Sequence, residues 1–156
     1  MPTIQAQPEI DYGRAYRFHG LDLTELQGRE AMAQCPFCGR EDKWYCSLKT
    51  GQWECKVCTE KGNLLSFLSK LSQGDSPALE AIAADRKLLY PDTLVAWGVG
   101  WSWLTHNPLV PGYGPTGRLS QLYRYTQLPG EARRQLLPTP GLKHGLHGLN
   151  LFIRSF

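Results

Sequence analysis

The stretch that decides the fold runs from residue 35 to residue 58 and reads CPFCGREDKWYCSLKTGQWECKVC. It contains two Cys-x-x-Cys pairs, Cys35 with Cys38 and Cys55 with Cys58, separated by sixteen residues. A two-residue gap lets both sulfurs of a pair face one point, and the spacer can fold into a hairpin that brings the pairs together. Because four thiolates complete a tetrahedral shell and leave no position for water, the pattern predicts one structural zinc ion.

The other candidate ligands are weaker. Cys46, the fifth cysteine, lies in a predicted strand remote from both pairs, which favours the role of a small buried apolar side chain. The odd cysteine count also favours reduced thiols or metal ligands over disulfides. His19, His144 and His147 could join a metal site, but four cysteines already satisfy zinc.

The secondary structure is predicted outward from this stretch. Residues 43–48 and 52–55 form a hairpin through a turn that contains Gly51, and residues 30–34 form a further strand. Apolar residues at helical spacing predict a helix over residues 64–71, which opens after Gly62 and Asn63 and packs back on the hairpin. A short helix is predicted within residues 10–23.

The second half of the chain is predicted to contain helices followed by strands. Ser76 followed by Pro77 predicts a helix start after a linker at residues 72–76, and that helix continues to about residue 89. Residues 91–97 form a further helical turn that Gly98 ends. Residues 108–113 and 118–126 are predicted strands, and the proline-rich and glycine-rich remainder is predicted to be extended loop.

These elements predict an α+β protein. Residues 1–72 form a small zinc ribbon, an antiparallel hairpin or sheet with flanking helices, and residues 73–156 form a mixed α+β segment. No apolar run approaches the roughly 18 to 20 residues that span a bilayer, and the N-terminus lacks the pattern of a secretory signal. We therefore expect a cytoplasmic protein without a membrane partner.

Charge is distributed unevenly along the chain. Residues 1–100 contain 11 Lys and Arg residues and 13 Asp and Glu residues, a net charge of −2. Residues 101–156 contain 6 Lys and Arg residues and 1 Glu residue, a net charge of +5. A basic second half favours polyanions such as nucleic acid, although an ordinary solvated surface has the same composition.

The first half of the chain resembles the zinc-binding region of bacterial and phage DNA primases. The features that carry the resemblance are the two cysteine pairs, residues 44–48, Trp53 with Glu54, and the run Gly62-Asn63-Leu64-Leu65-Ser66-Phe67-Leu68. Bacterial primases often have histidine as the second ligand. Since this chain has Cys38 there, it is more similar to the phage, primase-helicase branch. A weaker resemblance, to the segment that leads into a primase catalytic core, covers residues 90–94, 98–100, 108–111, 117–119 and 123–125. Residues 147–152 resemble the stretch just before a Toprim domain.

The resemblance implies a role in RNA primer synthesis during DNA replication, with single-stranded template DNA, a Toprim catalytic domain and a replicative helicase as partners. Toprim primases use a carboxylate cluster to hold Mg²⁺, but Glu131 is the only carboxylate after Asp92. We therefore expect no catalytic residue here, Mg²⁺ only in the missing Toprim domain, and no primer synthesis by this chain alone.

The resemblance places template recognition on the hairpin that leads into the third cysteine, at Lys49, Thr50, Gln52 and Trp53. Thr50 and Gln52 could bond base edges, and Trp44 or Trp53 could stack on an unpaired base. The alternative is that both tryptophans pack under the hairpin against Phe67 and Leu68. The expected phosphate contacts are Lys43, Lys49, Lys56 and, in the second half, Arg118, Arg124, Arg133 and Arg134, although nearby acidic residues nearly cancel the ribbon lysines.

Two other classes of function stay open. A stand-alone zinc-ribbon regulator or replication accessory protein would recruit a partner without contacting a catalytic core. A redox or metal-storage protein would lose zinc under mild oxidation.

Overall fold

The computed structural model describes residues 9–72, 79–80, 83–84, 91–114 and 118–142. The described elements are three helices and nine strands in two antiparallel sheets. This arrangement confirms the predicted α+β class. Most of the helix predicted from Ser76 to residue 89 lies outside the described residues, and residues 79–80 and 83–84 are helical.

The first sheet has five strands in sequence order: β1 Thr24–Leu26, β2 Glu30–Ala33, β3 Trp44–Ser47, β4 Trp53–Cys55 and β5 Lys61–Gly62. The predicted strands correspond to β2, β3 and β4. Alternate residues of a strand point to opposite faces, so Trp44 and Cys46 on β3 enter the core together with Trp53 and Cys55 on β4. The strands β1 and β5 were not predicted, because β1 is exposed along its whole length and β5 has two residues, so neither shows the buried–exposed alternation of β4.

Two helices cover the inner face of this sheet. Helix α1, Tyr12–Phe18, begins after Asp11, whose Oδ1 accepts from the Arg14 backbone N–H at 2.9 Å. Helix α2, Leu64–Leu71, matches the predicted bounds and opens with a reciprocal capping box between Asn63 and Ser66. The Tyr16 ring of α1 meets the Phe67 ring of α2 edge to face, with centroids 5.1 Å apart. The two helices therefore close one aromatic core with the sheet.

The second sheet has four strands in sequence order: β6 Gly100–Ser102, β7 Asn107–Tyr113, β8 Leu119–Gln127 and β9 Arg134–Pro138. Helix α3, Pro91–Ala96, precedes it and ends at Gly98, whose φ of 71° is left-handed, as predicted. The prediction of loop after residue 126 was wrong, because β9 pairs along β8 from Arg134 to Pro138. Since β9 is an edge strand, Pro138 is tolerated at its end.

The two sheets share part of one core. Leu109 on β7 and Leu122 on β8 are fully buried in the same apolar cluster as Tyr16 and Phe67. The backbone approach is close as well, because a Cβ added at Gly100 would lie 1.6 Å from the Ser72 carbonyl oxygen. The division into residues 1–72 and 73–156 stays a prediction, and apolar packing continues across it.

Polar contacts also cross this junction. His19, at the end of α1, is fully buried, and its Nε2 lies 2.7 Å from Thr139 Oγ1. Thr139 Oγ1 itself donates to the Leu122 carbonyl oxygen at 2.7 Å, so His19 Nε2 must be the donor to Thr139. The Arg124 guanidinium on β8 lies 4.2 Å from the Phe18 ring centroid and donates to the Phe18 carbonyl oxygen. These contacts fasten α1 to the second sheet.

Among the described residues, every helix is too short to cross a lipid bilayer.

Candidate metal centre and nucleic-acid surface

The two cysteine pairs sit on knuckles with the same backbone pattern. In the first knuckle the Cys35 N–H donates to the Arg40 carbonyl oxygen at 2.9 Å, and in the second the Cys55 N–H donates to that of Glu60 at 2.8 Å. The fourth residue after each leading cysteine, Gly39 or Thr59, bonds back to the cysteine carbonyl and has a positive φ. Two equivalent turns therefore present their sulfurs to one point.

The four sulfurs have the spacing of a tetrahedral metal site. Cys35 Sγ lies 3.8 Å from Cys58 Sγ, Cys38 Sγ lies 3.7 Å from Cys55 Sγ, and all four atoms lie within 4.8 Å of one another. A tetrahedron with Zn–S bonds of about 2.3 Å has edges of about 3.8 Å. The four predicted ligands come together and could hold one zinc ion.

The surroundings of the thiols differ. Burial raises the pKa of Cys35 to about 12, although the Phe37 N–H donates to its sulfur at 3.4 Å. Burial also opposes ionisation of Cys55, but the Cys58 and Val57 N–H groups at 3.5 and 3.4 Å, together with the neighbouring Cys58 and Cys35 thiols, outweigh it and lower its pKa to about 7. Backbone N–H groups thus favour the thiolate that a metal needs.

Cys46 and His19 lie outside this cluster. Cys46 is 3% exposed in the middle of the first sheet, opposite Ala31 and Trp53, and burial raises the pKa of its thiol to about 12. It is the buried apolar side chain that its strand position indicated. His19 bonds to Thr139 instead of a metal, and His144 and His147 lie outside the described residues.

The tryptophans of the ribbon belong to the core. Trp44 is fully buried and Trp53 is 4% exposed, and both rings lie within 6.0 Å of the Phe67 ring. The Trp53 Nε1–H donates to the Asn63 carbonyl oxygen at 2.9 Å, which ties β4 to the start of α2. This corrects the expectation that either ring is free to stack on a base: each would have to leave the core first.

The aromatic ring on the outward face of the first sheet is Tyr45. Because Trp44 and Cys46 point inward, Tyr45 is partly exposed on the other face, opposite Glu54 on β4 and Met32 on β2. It lines an open groove of about 950 Å³ together with exposed polar side chains, among them charges of both signs. They are Gln52, Lys56, Lys61, Glu30 and Glu54. Sequence reasoning missed Tyr45, although the two-residue alternation along β3 places it on the face of the sheet that Trp44 does not occupy.

The predicted contacts of the first sheet remain accessible. Lys43, Lys49, Thr50, Gln52 and Lys56 are all exposed. Lys56 pairs with Glu54, whereas Lys43, Lys49 and Lys61 form no ion pair within the described part of the chain. The hairpin therefore keeps cations that can meet phosphates.

The arginines of the second sheet divide into two groups. Arg118, Arg133 and Arg134 are exposed, and the Arg134 guanidinium carbon lies 5.9 Å from the Tyr125 ring centroid. Arg124 is only partly exposed and is engaged with Phe18, as described above, and burial lowers its pKa. A phosphate contact at Arg124 stays a prediction, and its guanidinium is already engaged in the contact with α1.

Comparisons with known proteins find structural similarity at a distance, and none by sequence family. No protein-family model matches the chain, and no curated protein matches it. The crystal structure of the Aquifex aeolicus primase, comprising its zinc-binding and RNA polymerase domains, aligns with 86% of this chain at 14% identity and a TM-score of 0.36. The chain spans about half of that neighbour, 52% of its length. The site is assigned from its own geometry.

Proposed function

We propose that this chain is the zinc-binding, template-recognising region of a DNA primase of the phage primase-helicase type, and that it binds single-stranded DNA on the outward face of its first sheet. The observation that carries the proposal is Tyr45. Its partly exposed ring lies in an open groove on a sheet whose strand ends carry the four-cysteine cluster. The charged residues of the groove are Lys56 and Lys61 with Glu30 and Glu54, and Lys61 is the cation there that forms no ion pair within the described residues.

Zinc would serve this surface as a structural clamp. Cys35 follows β2, Cys38 precedes β3, Cys55 ends β4 and Cys58 precedes β5. One ion bound to all four thiolates would hold these strand ends together and fix the sheet. With the shell closed by sulfur, the metal supplies folding energy rather than hydrolytic chemistry.

The groove offers the three kinds of contact that single-stranded DNA needs. An unpaired base can stack on Tyr45, which is carried by the central strand of the sheet. The Lys56 ammonium, 6.0 Å from the Tyr45 ring centroid, and Lys61 can meet the adjoining phosphates. Thr50 and Gln52 at the hairpin end have hydrogen-bonding groups for base edges, which is where sequence preference would arise.

The wider assignment extends this surface to a complete primase. Arg118, Arg133 and Arg134 would follow the template onward, and a Toprim domain would supply the Mg²⁺ site for RNA primer synthesis. A replicative helicase would deliver the template. Four thiolates also suit the reducing cytoplasm, where DNA replication takes place in a bacterium.

Fluorescence anisotropy with labelled single-stranded oligonucleotides tests the surface. We expect Tyr45→Ala to weaken binding about ten-fold, the usual effect of removing one stacking ring, and Tyr45→Phe to retain it. Tyr113→Ala, which removes an exposed tyrosine of the second sheet, is the matched control and should leave affinity unchanged. Equal affinities for Tyr45→Ala and wild type at low salt would refute binding at this face.

A mixing experiment separates a primase from a regulator. A primase region should restore primer synthesis when it is added to a separately prepared Toprim domain of the same system. A stand-alone regulator should bind nucleic acid or a partner and leave the Toprim domain inactive. The Tyr45→Ala protein should restore less synthesis than wild type at equal concentration.

A further inference from the structure

A second cleft, of about 610 Å³, lies beside the metal centre. The first knuckle contributes Phe37, and the turn between β6 and β7 contributes Trp103. The second knuckle and the last turn of α2 add Cys58, Glu60 and Lys70. Because Trp103 follows β6, the cleft needs both sheets, whereas the Tyr45 groove is formed by the first sheet and its adjoining loops.

Phe37 is a rigid wall of this cleft. Its ring centroid lies 5.3 Å from that of Trp53 and 5.7 Å from that of Phe67, so one side of the ring is packed against the core. The residue is nevertheless partly exposed and lines the cleft. A ring that is already immobilised loses little side-chain entropy when a ligand packs beside it.

Trp103 is the other aromatic wall, and 47% of its surface is exposed. The turn that carries it is braced, because the Thr105 N–H donates to Ser102 Oγ at 3.2 Å. The end of α1 also presses on this turn: a Cβ added at Gly20 would lie 3.0 Å from Thr105 Cγ2. An exposed tryptophan on a fixed turn is prepared for contact with a flat apolar partner.

Lys70 adds a cation beside the Phe37 ring. Its Nζ lies 5.1 Å from the Phe37 ring centroid, and it forms an ion pair with Glu60. Surface pairs of this kind are weak, so Lys70 can exchange the carboxylate for a phosphate. Aromatic rings with an adjacent cation match a nucleotide, which has a flat base next to a phosphate.

We infer that this cleft binds one unpaired nucleobase of single-stranded DNA, stacked on Trp103 and bordered by Phe37, with the adjoining phosphate on Lys70. The inference rests on the proposed function and adds a second contact to the Tyr45 surface. A base held here touches both sheets, so the strand would fasten them together when it is bound.

An abasic scan tests the inference with the intact chain. Oligonucleotides that lack one base at successive positions are titrated against wild type and Trp103→Ala by anisotropy. We expect Trp103→Ala to bind the complete strand about ten-fold more weakly than wild type. One abasic position should weaken wild type by the same factor and leave Trp103→Ala unaffected, because ring and base form one contact.

Two further variants complete the design. Lys70→Gln should reduce the dependence of log affinity on log salt by about 0.7, the value for one phosphate of a single strand. Tyr113→Ala, whose side chain is exposed outside the cleft lining, should change neither affinity nor slope. Equal zinc content and equal midpoints of urea unfolding in all variants show that the fold is kept in both sheets.

The outcomes separate the two proposals. If wild type binds oligonucleotides and Trp103→Ala binds them equally well at every abasic position, the cleft takes no base and only this inference is overturned. If wild type binds no oligonucleotide at low salt, the proposed function is overturned and this inference with it.

Discussion

The first sheet and its two helices bury the aromatic rings of Tyr16, Trp44, Trp53 and Phe67 against one another, whereas the second sheet buries Tyr123 among aliphatic and polar side chains. Gln121 on β8 is fully buried and satisfied: its Oε1 accepts from the Leu122 and Thr139 N–H groups, and its Nε2 donates to the Thr139 and Leu142 carbonyl oxygens. The first sheet thus has short strands and a metal site, and the second has long strands and internal hydrogen bonds.

This difference bears on what each sheet needs in order to fold. The strands of the first sheet contain two to four residues, and such a sheet depends on a clamp at its ends and on its ring cluster. The strands β7 and β8 contain seven and nine residues and pair along most of their length. Removing metal should therefore affect the two sheets unequally, even though they share Leu109 and Leu122 in one core.

The largest expected effect is that of removing the metal ligands. Cys55→Ser combined with Cys58→Ser should abolish zinc binding and unfold the first sheet, because structural zinc contributes on the order of 10 kcal/mol or more. Hydrogen exchange measured by mass spectrometry should show lost protection in β3 and β4 and retained protection in β7 and β8. Cys46→Ala is the matched cysteine control and should keep the metal. Equal loss of protection in both sheets would show that the metal stabilises the whole molecule.

The next effect concerns core and surface aromatics on one strand. Trp44→Ala should destabilise the protein by about 3 to 5 kcal/mol, because it leaves a cavity where a fully buried ring packs against Tyr16. The neighbouring Tyr45→Ala should cost far less stability and act on DNA affinity instead. Urea unfolding of both variants measures the contrast. A Trp44→Ala protein as stable as wild type would contradict the placement of this ring in the core.

The smallest effect is on the junction between the sheets and depends on pH. Burial, with the Arg124 charge beside it, lowers the pKa of His19 to about 3, below its ordinary value of about 6.5. Between these two pH values the unfolded chain binds the extra proton, so stability falls as the pH decreases below about 6.5. The loss at pH 5.5 should be about 1.3 kcal/mol relative to pH 7.

A variant without the imidazole isolates this contribution. His19→Gln should be less stable at neutral pH because it disturbs the contact with Thr139, and its stability should decline less between pH 7 and pH 5.5. The exposed His106, whose positive φ asparagine tolerates, supplies the control variant His106→Asn. Urea unfolding at each pH gives the comparison. An unchanged pH dependence in His19→Gln would mean that His19 is not the group that titrates.

The parts of this protein that the sequence alone determined are local. The Cys-x-x-Cys spacing identified the four clustered thiols, alternation and turn residues located β3 and β4, and the apolar period with Asn63 located α2 at its true bounds. Each cysteine pair, turn and helix cap depends on residues within a few positions of one another, and the two pairs are joined by a spacer of only sixteen residues. The ligand spacing, the strand alternation and the helical period can therefore be read directly from the sequence.

Tertiary structure decided which side chains are exposed and which segments meet. Trp44 and Trp53 are of a residue type that can stack on bases, but Tyr16 and Phe67 from two helices bury them. Tyr45 and Trp103 remain accessible instead. The contact of His19 with Thr139 joins residues 120 positions apart, and β9 exists because β8 supplies its hydrogen-bond partners. Such contacts depend on how distant segments are arranged in the folded chain, so the local propensities of the residues do not predict them.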